Sequence, residues 1–154
     1  MGKIQNKTYT KNKKAYHDYE MLECIEAGIS LTGPEVKAVR NGQVNLLGSF
    51  VFIENNKIIL KQCHISRPDH IGNKPHEEER PRNLLLHKSE IQKLHKAVQV
   101  KGYTLIVTEI YQREGTGSIK CKLNVAKGKR DYDKRETLKR KQADIDTKRQ
   151  MKDY

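Results

Sequence analysis

There is no tryptophan in this chain of 154 residues, only two phenylalanines, and 35% hydrophobic side chains in all. Any core must therefore be small, and part of the chain has to lie outside it. No run approaches the roughly 20 consecutive apolar residues of a membrane span, so no membrane partner is expected. Residues 1–14 are basic with no apolar run behind them, which does not describe a secretory signal. Cysteine is scarce as well. Cys24, Cys63 and Cys121 are odd in number and far apart, with no CxxC and no nearby Cys/His pair. Neither a disulfide framework nor a structural zinc site is expected from them. They read as small apolar side chains on strands in a reducing cytoplasm. Nucleophile elbow, P-loop and HExxH motifs are missing too. His17, His64, His70, His76 and Glu77 to Glu79 could supply acid-base chemistry, but such clusters in polar stretches are usually just solvated. No catalytic residue, metal ligand or cofactor is assigned, and an enzyme is not expected.

What the chain has in abundance is positive charge, unevenly placed. Thirty-one Lys and Arg against nineteen Asp and Glu give +12. Residues 1–14 hold five lysines and no acid, and residues 128–154 hold ten basic and six acidic side chains. The 113 residues between them carry only +3. A near-balanced body between two cationic arms suits a phosphate backbone, because each neutralised phosphate releases condensed counterions. A membrane surface would need apolar residues opposite the charges, and the arms lack that face.

The punctuation is that of a compact, strand-rich domain. His17 to Ala27 alternates as a first strand, and Gly28 reads as its breaker. After Gly33-Pro34, Glu35 to Arg40 reads as a short helix with Pro at its first position. Val36 and Val39 would face inward, sending Glu35, Lys37 and Arg40 to solvent. Ser49 to Glu54 and Lys57 to Cys63 flank Asn55-Asn56, a two-residue hairpin signal. From Ser66 to Asn83 the chain is polar and broken by Pro68, Gly72, Pro75 and Pro81, a long loop. Leu84 to Leu86 reads as a short buried run. Ser89 would cap a helix carrying Ile91, Leu94, His95 and Val98 at helical spacing, ended by Gly102. Tyr103 to Tyr111 and Ile119 to Val125 are two further strands around Glu114-Gly-Thr-Gly. The pattern predicts a mainly β fold, a small antiparallel OB-fold-like barrel with two or three short helices. Its predicted boundaries are a flexible basic arm over 1–14, the barrel over 15–126 and a basic tail over 127–154. With Leu138 and Ile145 as its main aliphatics, the tail cannot offset its ordering entropy alone and is expected to be disordered in isolation. Its Lys, Arg, Glu and Gln are good helix formers that a partner surface could order.

Several strings, in order, resemble one family. NKKAYHDY (12–19), EAGISLTGPEVKAVRNGQVNL (26–46), LLLHKSEI (84–91), KGYTL (101–105) and AKGKRDYDKRE (126–136) look like the successive signatures of SsrA-binding proteins. The chain departs from the family pattern at Ala38, at Gly48-Ser49-Phe50, at Val107-Thr108 and at Asn83, where the family usually has Lys. The resemblance implies a barrel that grips the tRNA-like domain of transfer-messenger RNA. It further implies a C-terminal tail that enters the empty mRNA channel of a stalled ribosome near the decoding centre and becomes helical there. Elongation factor Tu and alanyl-tRNA synthetase are implied as indirect partners through the RNA, in a bacterial cytoplasm, with the protein a monomer. A general OB-fold translation factor or ribosomal RNA-binding protein fits the composition equally well; the ordered signatures and the tail favour the first reading.

Placed in that pattern, Glu35, Lys37, Arg40 and Asn45 are expected at the RNA surface, though without it a solvated helix face would be the default for the first three. Asn12, Lys13 and Lys14 beside Tyr16 and Tyr19 combine cations with rings that can stack, as folded RNA is gripped; Tyr19 could equally be core. His87, after the triple leucine, could stack on a base. In the tail, Lys127, Gly128, Lys129, Arg130, Tyr132, Asp133, Lys134, Arg135, Lys139 and Arg140 are expected to contact the ribosome. Gly128 would be the hinge and Tyr132 a stacking residue near the decoding nucleotides.

Overall fold

The computed structural model describes residues 7–67, 77–129 and 142. Nine strands and three helices are formed among them. In chain order they are β1 (Lys7–Lys11), α1 (Lys13–Asp18), β2 (Tyr19–Ile29), α2 (Gly33–Arg40), β3 (Val44–Asn45) and β4 (Phe50–Glu54). There follow β5 (Lys57–Lys61), β6 (His64–Ile65), β7 (Arg82–Leu85), α3 (Lys88–Ala97), β8 (Tyr103–Gln112) and β9 (Ile119–Gly128). The main sheet runs β1-β8-β4-β5-β7-β2-β9, and β8 also pairs with β9. That last pairing closes six antiparallel strands into a barrel, with β1 added outside on β8. Closure removes most free strand edges. The mainly β, barrel-forming expectation holds.

Inward-facing residues alternate as the pleat requires. Ile58 and Leu60 of β5, Leu84 of β7, Val107 of β8 and Leu123 of β9 are all buried, and Leu94 of α3 packs into the same cluster. β8 is buried on both faces from Leu105 to Tyr111. Its outer face is covered because Ala15 of α1 packs on Ile106 and Ala126, with Tyr19 and Met21 against them. Under this cover the buried amide of Asn124 donates to the Thr108 hydroxyl at 2.7 Å, so neither polar group is left unpaired. Cys63 and Cys121 are buried and Cys24 is exposed, all as free thiols. Burial pushes the Cys63 thiol up to about 11 and the Cys121 thiol up to about 12.

The β4–β5 hairpin turns at Asn55 and Asn56 with φ of 49° and 61°. Both central residues are left-handed, as a type I′ turn demands, and Asn tolerates that region better than most side chains. Replacing Asn56 by valine is expected to destabilise the fold by about 1–2 kcal/mol. Equilibrium denaturation checks this, and parent-like stability would mean that the turn can relax to another type.

Three expectations about the elements are corrected. Residues 7–14 are not a free arm: β1 pairs with β8, Lys7 opposite Gln112 and Lys11 opposite Glu109, and Lys13 and Lys14 open α1. Tyr9 is the strand's one apolar side chain and packs half-buried against the core, too little signal by itself, so the pairing with β8 is what reveals the strand. The first long strand begins at Tyr19, after a helix, and it runs through Gly28, which is no breaker there. A Cβ on Gly28 would stand 3.1 Å from Leu85 Cβ, and glycine is what lets β2 and β7 approach so closely. Finally, His87 rather than Ser89 is the N-cap of α3, where its N–H donates to the Glu90 carboxylate at 3.1 Å.

Candidate nucleic-acid interface

Glu35 lies on α2, whose start is built by a capping box: Thr32 Oγ1 accepts from the Glu35 N–H, and Glu35 Oε1 accepts from the Thr32 N–H at 2.9 Å. The carboxylate does not then turn to solvent. Glu35, Ala38 and Val39 form the buried stripe of α2, with Glu35 only 1% exposed. Its partners are two arginines from distant chain. Arg80 Nη2 donates to Oε1 at 2.6 Å and Arg82 Nε to Oε2 at 2.6 Å. Arg82 is itself fully buried on β7 and donates onward to the carbonyls of Cys63, at 2.7 Å, and Glu78, at 3.3 Å. Burial alone would raise the Glu35 carboxyl pKa. The hydrogen bonds from Arg80, the Thr32 N–H and Arg82 overcome that, and it lies below its ordinary value. The expected RNA contact at Glu35 is corrected: its carboxylate is an internal clamp. Residues 35–40 show an acid among cations and cannot show the two arginines that arrive from 45 and 47 positions away.

Asn12 is likewise buried. Its side chain accepts from the Ala15 N–H at 3.1 Å, capping α1, and donates to the Leu46 carbonyl at 3.4 Å. Both uses are structural, which corrects the RNA-contact expectation for this side chain. Tyr19 is half-buried against the α1 cluster. Lys13 and Lys14 stay exposed, and Lys14 lines a groove with Asp18, Tyr19, Leu47 and Phe50. On α2, Lys37 and Arg40 are exposed, and Arg40 Nη2 donates to the Gly117 carbonyl at 3.2 Å. Asn45 is exposed, its side chain accepting from the Leu47 N–H at 2.9 Å in an Asx turn.

A different groove, of about 340 Å³, forms where β2, β7 and β9 meet the start of α3. His87, exposed at the α3 N-cap, lines it with Leu85, Glu26, Gly28, Glu90 and Lys120. Leu85 is 61% exposed, contrary to the expected buried leucine run, whereas Leu84 is buried and Leu86 packs half-buried against the core. The pleat explains this, since adjacent strand residues face opposite ways. Across from it, the Glu26 carboxylate accepts from the Tyr111 hydroxyl, and Arg113 Nη1 stands 3.7 Å from its other oxygen. Burial and that hydrogen bond push the Tyr111 pKa up, so the phenol remains a donor. The groove thus offers an aliphatic platform, an imidazole, an ammonium and a held acceptor within one concavity. Those are the parts needed to stack, pair a phosphate and read donor groups of unpaired nucleotides.

A model of the SmpB protein family matches residues 9–153. The chain belongs to the SmpB family. The SsrA-binding protein of Caldicellulosiruptor saccharolyticus is 50% identical over 149 residues, covering 96% of this chain and 92% of that protein. The SsrA-binding protein of Streptococcus sanguinis is 44% identical over 155 residues, covering 100% and 98%. A chain from a solved structure described as "tmRNA-SmpB: a journey to the center of the bacterial ribosome" superposes with a TM-score of 0.66 at 40% identity, covering 84% of this chain and 93% of that one.

The barrel of this SmpB family member extends past the expected boundary at Ala126. Lys127 and Gly128 pair with Glu20 and Tyr19 as the end of β9, so Gly128 is in a strand and not at a hinge. Lys129 is tied to α1, its N–H donating to the Asp18 carbonyl at 3.0 Å and its ammonium to the Tyr16 carbonyl at 3.2 Å. Arg130, Tyr132, Asp133, Lys134, Arg135, Lys139 and Arg140 lie outside the described residues. Sequence reasoning missed Glu26, Leu85 and Lys120, all in the groove with His87. Glu26 and Leu85 fall inside family strings, the one available signal. What joins them is the pairing of Gly28 with both Leu85 and Lys120, which spans more than 90 residues of chain.

Proposed function

We propose that the chain binds the tRNA-like domain of transfer-messenger RNA and delivers it to stalled ribosomes for trans-translation. The observation that carries this reading is the groove of Glu26, Leu85, His87 and Lys120, in a chain 40% identical to one described as tmRNA-SmpB in the bacterial ribosome. The role is binding and positioning: neither a metal nor a cofactor is needed for it, and no group of three or more His, Cys, Asp or Glu that could hold a metal occurs among the described residues. In this reading the protein acts in the cytoplasm of a bacterium, as its relatives come from bacteria, and as a monomer. Elongation factor Tu and alanyl-tRNA synthetase meet it through the RNA.

The tail is the second functional part. Its cations, with Tyr132, reach the decoding centre and the empty mRNA channel, and the tail becomes helical there. The support is compositional: helix-forming residues with too little apolar surface to fold alone, the profile of a segment that orders on binding.

Leu85→Ala with His87→Ala is expected to weaken binding of a labelled tRNA-like-domain transcript roughly 10- to 100-fold or more, about 1–3 kcal/mol of it from the ring stacking lost with His87. Both side chains are exposed, so the melting temperature should hold. Parent-like affinity at fixed salt would exclude this groove as the interface. If the parent protein itself bound the transcript no better than an unrelated RNA, the general translation-factor reading would replace the present one.

A further inference from the structure

Glu26 and Tyr111 are 85 residues apart and not on neighbouring strands. Glu26 on β2 stands opposite Lys122 on β9, and Tyr111 on β8 stands opposite Lys120. The Tyr111 side chain therefore crosses β9 diagonally, between two lysines, to bring its hydroxyl to Glu26. Lys122 is 6.0 Å above the ring and is drawn the other way by Glu109, whose carboxylate its ammonium meets at 2.6 Å. The phenol, and not the ammonium of the cross-strand lysine, is the hydrogen-bond donor to Glu26. Tyr111 is 3% exposed whereas Glu26 is exposed at the groove wall. A buried donor holding an exposed acceptor is an arrangement for aiming that acceptor, because a carboxylate on a free strand surface samples several rotamers and loses that freedom on binding.

We infer that Tyr111 is a positioning residue of the RNA interface: it fixes the Glu26 carboxylate toward the groove, where the free lone pairs accept from base amino or imino groups or ribose hydroxyls of the bound RNA. This rests on the groove being the interface. A carboxylate has about four acceptor positions; the phenol takes one on Oε2 and Arg113 stands 3.7 Å from Oε1, so about two stay available to RNA. Tyr111 itself, beneath the surface, touches no RNA. The Glu26 contact is then preorganised, and its loss shows in affinity, not in fold.

The test is a double-mutant cycle with the full-length protein and a labelled transcript of the tRNA-like domain. Tyr111→Phe keeps the ring and its packing and removes only the hydroxyl. It is expected to weaken binding about tenfold, the scale of one hydrogen bond to a charged group. In a Glu26→Ala background the same substitution should cost nothing further, because the group it acts through is gone. A merely structural role for the phenol would weaken binding equally in both backgrounds and would overturn the inference, as would parent-like affinity of Tyr111→Phe alone. Parent-like affinity of Glu26→Ala would instead remove Glu26 from the interface and overturn the inference with it, whereas Leu85→Ala with His87→Ala reports on the groove separately. Should Tyr111→Phe melt below the assay temperature, Glu26→Asp asks the same question by drawing the carboxylate back one methylene from the phenol. It is expected to bind as weakly as Glu26→Ala, and full affinity would overturn the inference. Transcripts with single 2′-deoxy substitutions, compared with transcripts carrying inosine for guanosine, then separate ribose from base as the donor. Loss of the Tyr111 effect with one set identifies the group, and an undiminished Tyr111 effect with both sets overturns the assigned contact.

Discussion

Glu35→Ala is expected to destabilise the barrel by about 3–5 kcal/mol, the cost of breaking a buried ion pair from one side. Arg82 has no exposed surface, and without Glu35 its guanidinium would keep only the Cys63 and Glu78 carbonyls as acceptors. The capping box of α2 would be lost at the same stroke. Denaturant unfolding at pH 7 measures this, with Arg40→Ala as the contrast. Arg40 is exposed with one hydrogen bond to the Gly117 carbonyl, and its loss should cost within about 0.5 kcal/mol. Equal stability of Glu35→Ala and the parent would show that the clamp is dispensable.

The same group sets an acid limit. Its folded pKa lies below the ordinary 4.5, burial raising it and the bonds from Arg80, Thr32 and Arg82 lowering it further. The folded state therefore holds this proton less readily than the unfolded state. The stability it contributes is fully present above the ordinary value and is lost as pH falls through the lowered folded value. Glu35→Gln should accordingly be less stable at neutral pH, and its stability should fall less steeply through the acid range. Parallel pH profiles for the two proteins would assign the acid limit to another carboxylate.

Stopping the chain after Lys129 should leave folding and RNA binding intact and abolish peptide tagging on stalled ribosomes. The cut must fall there and not after Ala126, because Lys127 and Gly128 complete the β9 ladder and Lys129 is bound to α1. Leu138→Pro in the full chain isolates the helical step. Proline costs about 3 kcal/mol in a helix interior, so tagging should fail while binding by the barrel persists. A single Lys→Ala in the tail should be mild, since the remaining cations share the phosphates. Parent-like tagging by Leu138→Pro would make the tail an unstructured cationic thread. Loss of binding on truncation would make it part of the RNA grip.

The barrel was legible in the sequence because its signals are local. A strand's alternation, the helix over Glu35 to Arg40 and the Asn55-Asn56 turn are each set within a few residues, by pleat, pitch and tolerance of positive φ. Net charge and ordered strings pointed to RNA, since charge and composition survive without coordinates. The tertiary structure alone decided which polar side chains face water. Glu35, Asn12 and Arg82 look like surface residues in the sequence, yet each is buried because its partners arrive from distant segments that local patterns do not pair. Leu85, judged by hydropathy, belongs inside, and the strand's pleat turns it out. The strand at Lys7 to Lys11 has a single apolar side chain, Tyr9, and no alternating pattern, so its pairing with β8 had to come from the fold. Burial of a polar group is settled by whether charge and hydrogen bonds are returned to it elsewhere in the fold. That accounting is non-local, which is why RNA binding could be expected from family strings and composition while the candidate interface is assembled only by strand pairing.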